Sequence, residues 1–208
     1  MEKEMIQNYA VENSVNVGGK RFLFCISTDE NEPHPYMKCR ERSESFLAHY
    51  ENAIAGNDYL EVMKLYVKDI SDAIAELENE RIALGVEKAD CLKPEELIPI
   101  GEDDDIRGKV VALHERELID GCKDIINQLY QIESGYGAIN GHHQKSCTAW
   151  SLKTGKKFKV YRYEIAGIVP DDKIPDFAKK AIEKIKKEKK KFFSGLLKNS
   201  QKVICVNN

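Results

Sequence analysis

The sequence predicts an α+β fold, on three observations. Lys20–Ser27 is a short apolar run directly after the turn signal Gly18-Gly19, and it reads as a strand. From about Glu41 to Gly85 apolar residues recur at helical spacing. Between Gly108 and Ala178, short β-type runs alternate with turn residues, the pattern of a small antiparallel sheet that is twisted or barrel-like. The 208 residues suffice for one generous domain or two small ones. A content of 42% hydrophobic and 32% charged residues puts the chain in the ordinary soluble-globular class.

Residues 1–16 are polar and are expected to form a flexible N-terminus. Residues 17–86 read as a strand followed by a long helical hairpin. Phe46, Leu47, Tyr50 and Ile54 form the apolar stripe of its first helix, closed by Gly56. Asp58, with Glu61 three residues on, opens a second helix. Its stripe of Met63, Tyr66, Val67, Ile70, Ile74, Leu77 and Leu84 ends at Gly85. Only Gly56-Asn57 separates the two, so they should fold back on each other. Residues 87–106, with Pro94, Pro99 and Gly101, read as an acidic linker.

Residues 107–172 form the β-module. Its runs are Lys109–Leu113, Asn127–Ile132, Ser146–Leu152 and Lys157–Glu164, with a hairpin at Lys153-Thr154-Gly155. Residues 173–208 read as a basic C-terminal helix and tail. Phe177, Ala181, Ile185, Phe192 and Leu196 make its apolar stripe, and Val203–Val206 suit a last short strand.

The net charge of −3 conceals a strong asymmetry. Lys173 to Lys202 holds eleven lysines against Asp176, Glu183 and Glu188, whereas the first 172 residues hold 21 basic and 32 acidic side chains. Such a split bears on partners more than on fold. Lys179, Lys180, Lys184, Lys187, Lys190 and Lys191 are the candidate contacts to phosphate or to an acidic partner surface. The plainer reading is a solvated helix face that complements the acidic body. Glu102, Asp103, Asp104 and Asp105 are the acidic candidates for a partner contact.

No motif names a reaction, so the chain reads as a non-enzyme without cofactor. His142, His143 and Cys147, with Cys122, supply only half of a zinc spacing and read as an incidental grouping. Asp103, Asp104 and Asp105 are adjacent, so their side chains cannot converge on one cation without an unusual backbone. Ser134–Gly137 and Gly141 lack the spacing of a phosphate loop. Six scattered cysteines without a close pair read as reduced thiols. Met1–Ile6 carries no apolar leader and no long apolar run follows, so a cytoplasmic chain without a membrane contact is expected.

Several residues of the β-module occur together in a recognisable order. They are Gln128-Leu129, Gly135-Tyr136-Gly137, Gly155, the Arg162, Glu164, Gly167 series and Pro175-Asp176-Phe177-Ala178. In these residues the module, about a third of the chain, resembles a domain found in accessory proteins of bacterial conjugative and phage-like mobile elements. Glu164 and Phe177 stand where that pattern has Asp and Trp. Arg162 and Glu164, two apart on a strand, suit a structural clasp with each other or across strands.

The resemblance implies a role in transfer, regulation or counter-defence. The first functional expectation is a non-enzymatic inhibitor of the anti-CRISPR kind. It would bind a host defence nuclease (a Cas effector) through its acidic body, with the lysine helix against bound nucleic acid or an acidic surface. The alternative is a nucleic-acid-binding accessory protein. It would use the lysine helix for phosphates and Tyr136, Trp150, Tyr161 and Tyr163 as stacking surfaces.

Overall fold

The structure is a computed structural model that describes residues 3–44, 47–87, 90–119, 122–139 and 145–204, without the side chains of 43, 44, 47, 48 and 191–204. The chain forms two compact units, Met1–Leu84 with Ile119–Cys122, and Gly85–Leu118 with Lys123–Asn208. Both combine antiparallel sheet with helix, so the fold is α+β. Among the described residues no helix is long and apolar enough to cross a membrane.

In the first unit, β1 (Met5–Ile6), β2 (Tyr9–Val17), β3 (Lys20–Ser27), β4 (Tyr36–Glu44) and β5 (Leu47–Gly56) form an antiparallel meander in chain order. Helix α1 (Tyr59–Leu84) follows. Asp58 caps it by accepting from the backbone N–H groups of Leu60 and Glu61 at 2.7 and 3.0 Å. Strand alternation sends Phe22 and Phe24 to one face, where they pack with Val62, Tyr66 and Ala73 of α1. Leu23, Cys25 and Cys39 take the opposite face and cluster with Ile6 and Tyr9. Lys38, only 4% exposed, reaches Asp69 of α1 at 2.6 Å, which compensates its buried charge.

Two expectations for this unit are corrected. The first half of the helical hairpin is instead the β4–β5 hairpin, which pairs from Tyr36↔Gly56 to Glu44↔Leu47. Long polar side chains hid the strand alternation: Lys38 and Arg40 lie on the α1 face beside Phe24 and Phe22, and each is satisfied by a carboxylate, Asp69 and Glu51. A register shift at Lys38/Arg40 and a left-handed Asn52 (φ 55°) further break the period of two. Long-range pairing thus overrides a local pattern. Phe46, part of the supposed stripe, lies outside the described residues.

The N-terminus, expected to be flexible, supplies β1 and β2. Its polar residues are the exposed side of a hairpin closed at Gly18-Gly19, where Val17 pairs with Lys20.

The second unit contains β6 (Val110–Leu113), α2 (Ile125–Gln128), β7 (Leu129–Ser134) and α3 (Tyr136–Ile139). Then come β8 (Ser146–Ser151), β9 (Lys157–Tyr161), β10 (Ile165–Ile168) and α4 (Asp176–Ile204). The strand order is β10-β6-β7-β8-β9, so chain neighbours β9 and β10 are the two edges. Five flat strands would separate those edges by roughly 19 Å. The step from Tyr161 to Ile165 covers at most about 14 Å, so the sheet must curl. Inside the curl lie Val111, Leu113, Ile132, Cys147, Ala149 and Val160.

Residues 90–106 are not a free linker. Ile98 exchanges backbone hydrogen bonds with Ile168 at 2.8 and 2.9 Å, and Ile106 is fully buried in the same core. Its apolar residues, spaced between acids and prolines, are what fasten it. The expected terminal strand at Val203 is also corrected: α4 runs through Ile204, and 205–208 lie outside the described residues.

Gln128, Arg162, Glu164 and Gly167 are fasteners of this unit. Gln128, 1% exposed, donates to the carbonyls of Leu92 and Leu113 and accepts from the Leu92 N–H. Arg162, 5% exposed, donates to the carbonyls of Gly137 (2.6 Å), Gly101 (2.6 Å) and Asp104 (3.2 Å). The Glu164 carboxylate accepts from the Tyr161 N–H at 2.7 Å. Arg162 and Glu164 therefore do not pair with each other: they sit in a 3-10 turn between β9 and β10, where strand alternation does not apply. A Cβ on Gly167 would stand 2.7 Å from the Leu97 Cβ and 2.9 Å from the Ile98 carbonyl, so only glycine lets residues 97–98 pair with β10.

Candidate nucleic-acid interface

Helix α4 covers the outer face of the second sheet. Phe177, Ala178 and Ile185 are buried, and Ile182 and Lys186 line a groove with Val110 of β6 and Gln131 of β7. Lys189 continues the contact: it pairs with Glu133 of β7 at 2.8 Å and lies 5.5 Å over the Trp150 ring of β8. Lys157 of β9 approaches the same two groups, 2.6 Å from Glu133 and 4.7 Å over Trp150. Partial burial opposes ionisation of Glu133, but hydrogen bonds from Lys157 and Lys189 prevail and hold its carboxyl down at about 2. Trp150 is thereby enclosed by two cations and takes no part in an open stacking surface.

The six predicted lysines divide. At 100° per residue, Lys180, Lys184 and Lys187 fall within roughly 60° of one another, opposite the sheet-facing row of Ala178, Ile185 and Lys189. All three are exposed. Lys179 is held at 3.9 Å from Asp176, and Lys190 also has intramolecular interactions. Lys191 belongs to the same stripe by register, and its side chain lies outside the described residues. Lys189, absent from the predicted set, is a docking residue.

A second basic row lies on edge strand β9. Val160 points into the core, so alternation sends Lys157, Lys159 and Tyr161 to the outer face, about 6.6 Å apart at two-residue steps. Lys159 stands 5.0 Å over the Tyr161 ring. Tyr161 stacks on Tyr163, with ring centroids 5.5 Å apart and planes at 17°. Tyr163 is 44% exposed.

The Arg162 N–H donates to the Lys145 carbonyl, which brings Lys145 beside this pair, and Lys145 in turn lies 5.9 Å over Tyr136. Tyr136 is 80% exposed. Cations and aromatic rings therefore cluster here, and of the rings Tyr136 and Tyr163 are exposed. The sequence signal was the period of two in Lys157–Tyr161, which places both lysines and the tyrosine on one side.

Two of the four acidic candidates are turn builders. Asp104 accepts from the Gly101 N–H at 2.7 Å. Asp105 chelates Arg107, whose side-chain and backbone N–H groups hold its carboxyl at about 2. Glu102 and Asp103 remain on the surface. Cys147 is buried in the core, where burial pushes its thiol up. His142 and His143 lie outside the described residues, and among the described residues no cluster of His, Cys, Asp or Glu could hold a metal ion. Comparison with known proteins finds no matching family model, no matching curated protein and no matching solved structure.

Proposed function

We propose that the chain is a non-enzymatic binding protein that holds single-stranded nucleic acid along the outer edge of its second unit. The observation that carries this reading is the clustering of Lys159, Tyr161 and Tyr163 with Lys145 and exposed Tyr136. Stacking on open rings is available to bases that have left a duplex, and lysines beside the rings neutralise the backbone. Lys180, Lys184 and Lys187 add a second cationic stripe in the same unit. The resemblance to accessory proteins of mobile elements supplies a setting in which single strands arise during transfer.

The test is binding to single- and double-stranded DNA and RNA over a salt series. Each phosphate neutralised on a single strand contributes about −0.7 to the slope of log K against log salt. Reversing Lys180, Lys184 and Lys187 to Glu should therefore reduce the slope by about 2. Affinity indifferent to salt would refute the reading.

A second reading, an inhibitor of a defence nuclease such as a Cas effector, draws on the acidity of residues 1–84, which hold sixteen acidic and nine basic side chains. That surface would compete for a basic nucleic-acid channel. Capture of purified Cas effectors with loss of cleavage, and no binding to free nucleic acid, would favour it over the first.

A further inference from the structure

Helix α1 carries a wider apolar surface than its sheet covers. Val62, Tyr66 and Ala73 are buried, with Met63 and Ile70 at the margin. About 120° round the helix from the buried row run Leu60, Val67 and Ile74 at 64%, 52% and 45% exposure, and Ile82 at 76%. At 100° per residue the exposed Lys64, Ser71 and Glu78 fall in the same row. Among the described residues neither Lys64 nor Glu78 has an ion-pair partner. The row reads apolar, Lys, apolar, Ser, apolar, Glu, apolar, and the order of apolar and polar positions is the same in both directions from Ser71. Leu60 and Ile82 are equidistant from Ser71, as are Lys64 and Glu78, and Val67 and Ile74 flank it.

We propose that this row is the contact through which α1 pairs antiparallel with α1 of a second copy, about a two-fold axis at Ser71. Antiparallel pairing sets Lys64 against the partner's Glu78 twice and brings Leu60 onto the partner's Ile82. Parallel pairing would oppose Lys64 to its own copy and Glu78 to its own copy, so the charges choose the direction. A two-fold contact uses the same patch on both subunits, as this row does. Small Ser71 at the axis lets the helices approach closely. The contact lies in the first unit and is independent of the nucleic-acid reading.

Sedimentation of the full chain without nucleic acid, over a concentration series, tests it. The parent should be a dimer. Lys64→Glu alone, or Glu78→Lys alone, should weaken the dimer roughly tenfold by creating two like-charge pairs. The double swap Lys64→Glu/Glu78→Lys should restore it. Circular dichroism of each variant checks that the fold is kept, which exposed positions favour. A parent that stays monomeric at every concentration, or a dimer unmoved by the single swaps, would overturn the proposal.

Discussion

Arg162 and Gly137 are locked together: the buried guanidinium donates to the Gly137 carbonyl at 2.6 Å across the curled sheet. A Cβ on Gly137 would meet the Lys145 carbonyl oxygen at 2.5 Å, so α3 can lie this close to the start of β8 only with glycine there. The same guanidinium holds the Gly101 and Asp104 carbonyls, which ties the acidic turn to the module. These residues describe how the unit is fastened, while Tyr136 and Tyr163 on either side of the fastening are exposed.

Arg162→Ala should therefore destabilise the second unit by about 3 kcal/mol or more, because it leaves three carbonyls without their charged donor. Arg162→Lys should recover only part of this, since an ammonium cannot reproduce the planar fork. Denaturant titration of the full chain measures both, and a lysine variant as stable as the parent would remove the fork argument.

Ile185→Asp should cost about 3–5 kcal/mol, since Ile185 is 2% exposed and an unpaired carboxylate would enter the contact of α4 with the sheet. Lys187→Asp, on the exposed stripe two residues away, should leave thermal stability nearly unchanged. Melting curves of the two variants side by side would check the orientation of α4.

Glu133 sets a pH dependence. Its folded carboxyl is held at about 2 against an ordinary value of 4.5, so its contribution is complete above about pH 4.5 and is lost as pH falls toward 2. Glu133→Gln should lower stability at neutral pH and flatten the acid limb over that window. Melting temperature followed from pH 7 to pH 2 in both proteins gives the answer, and parallel acid limbs would contradict the assignment.

Much of this architecture was legible in local patterns. Helix α1 is bounded by Asp58 and Gly85, both of which read as end signals, and its 3.6-residue period is unbroken. The β8–β9 hairpin follows from Gly155, which takes φ 66°. Strand β4 was not legible, because Lys38 and Arg40 sit on a packed face only by virtue of Asp69, 31 residues on, and Glu51. Nor could the sequence reveal the partners of Arg162, which lie 25 to 61 residues away along the chain. The lysine helix was found by composition, but which lysines dock and which face solvent depended on Glu133 and Trp150 beneath them.

The most direct test of the account is equilibrium binding of the full chain to a labelled single-stranded oligonucleotide and to the matching duplex, with the parent and a Tyr136→Ala/Tyr163→Ala variant. Both tyrosines are exposed, so the substitutions should spare the fold. The parent should prefer the single strand. The variant should bind it more weakly, by roughly 30-fold or more, with the salt dependence unchanged, the signature of lost stacking rather than lost charge. A parent that binds neither form, or a variant that binds the single strand as tightly as the parent, would contradict the account.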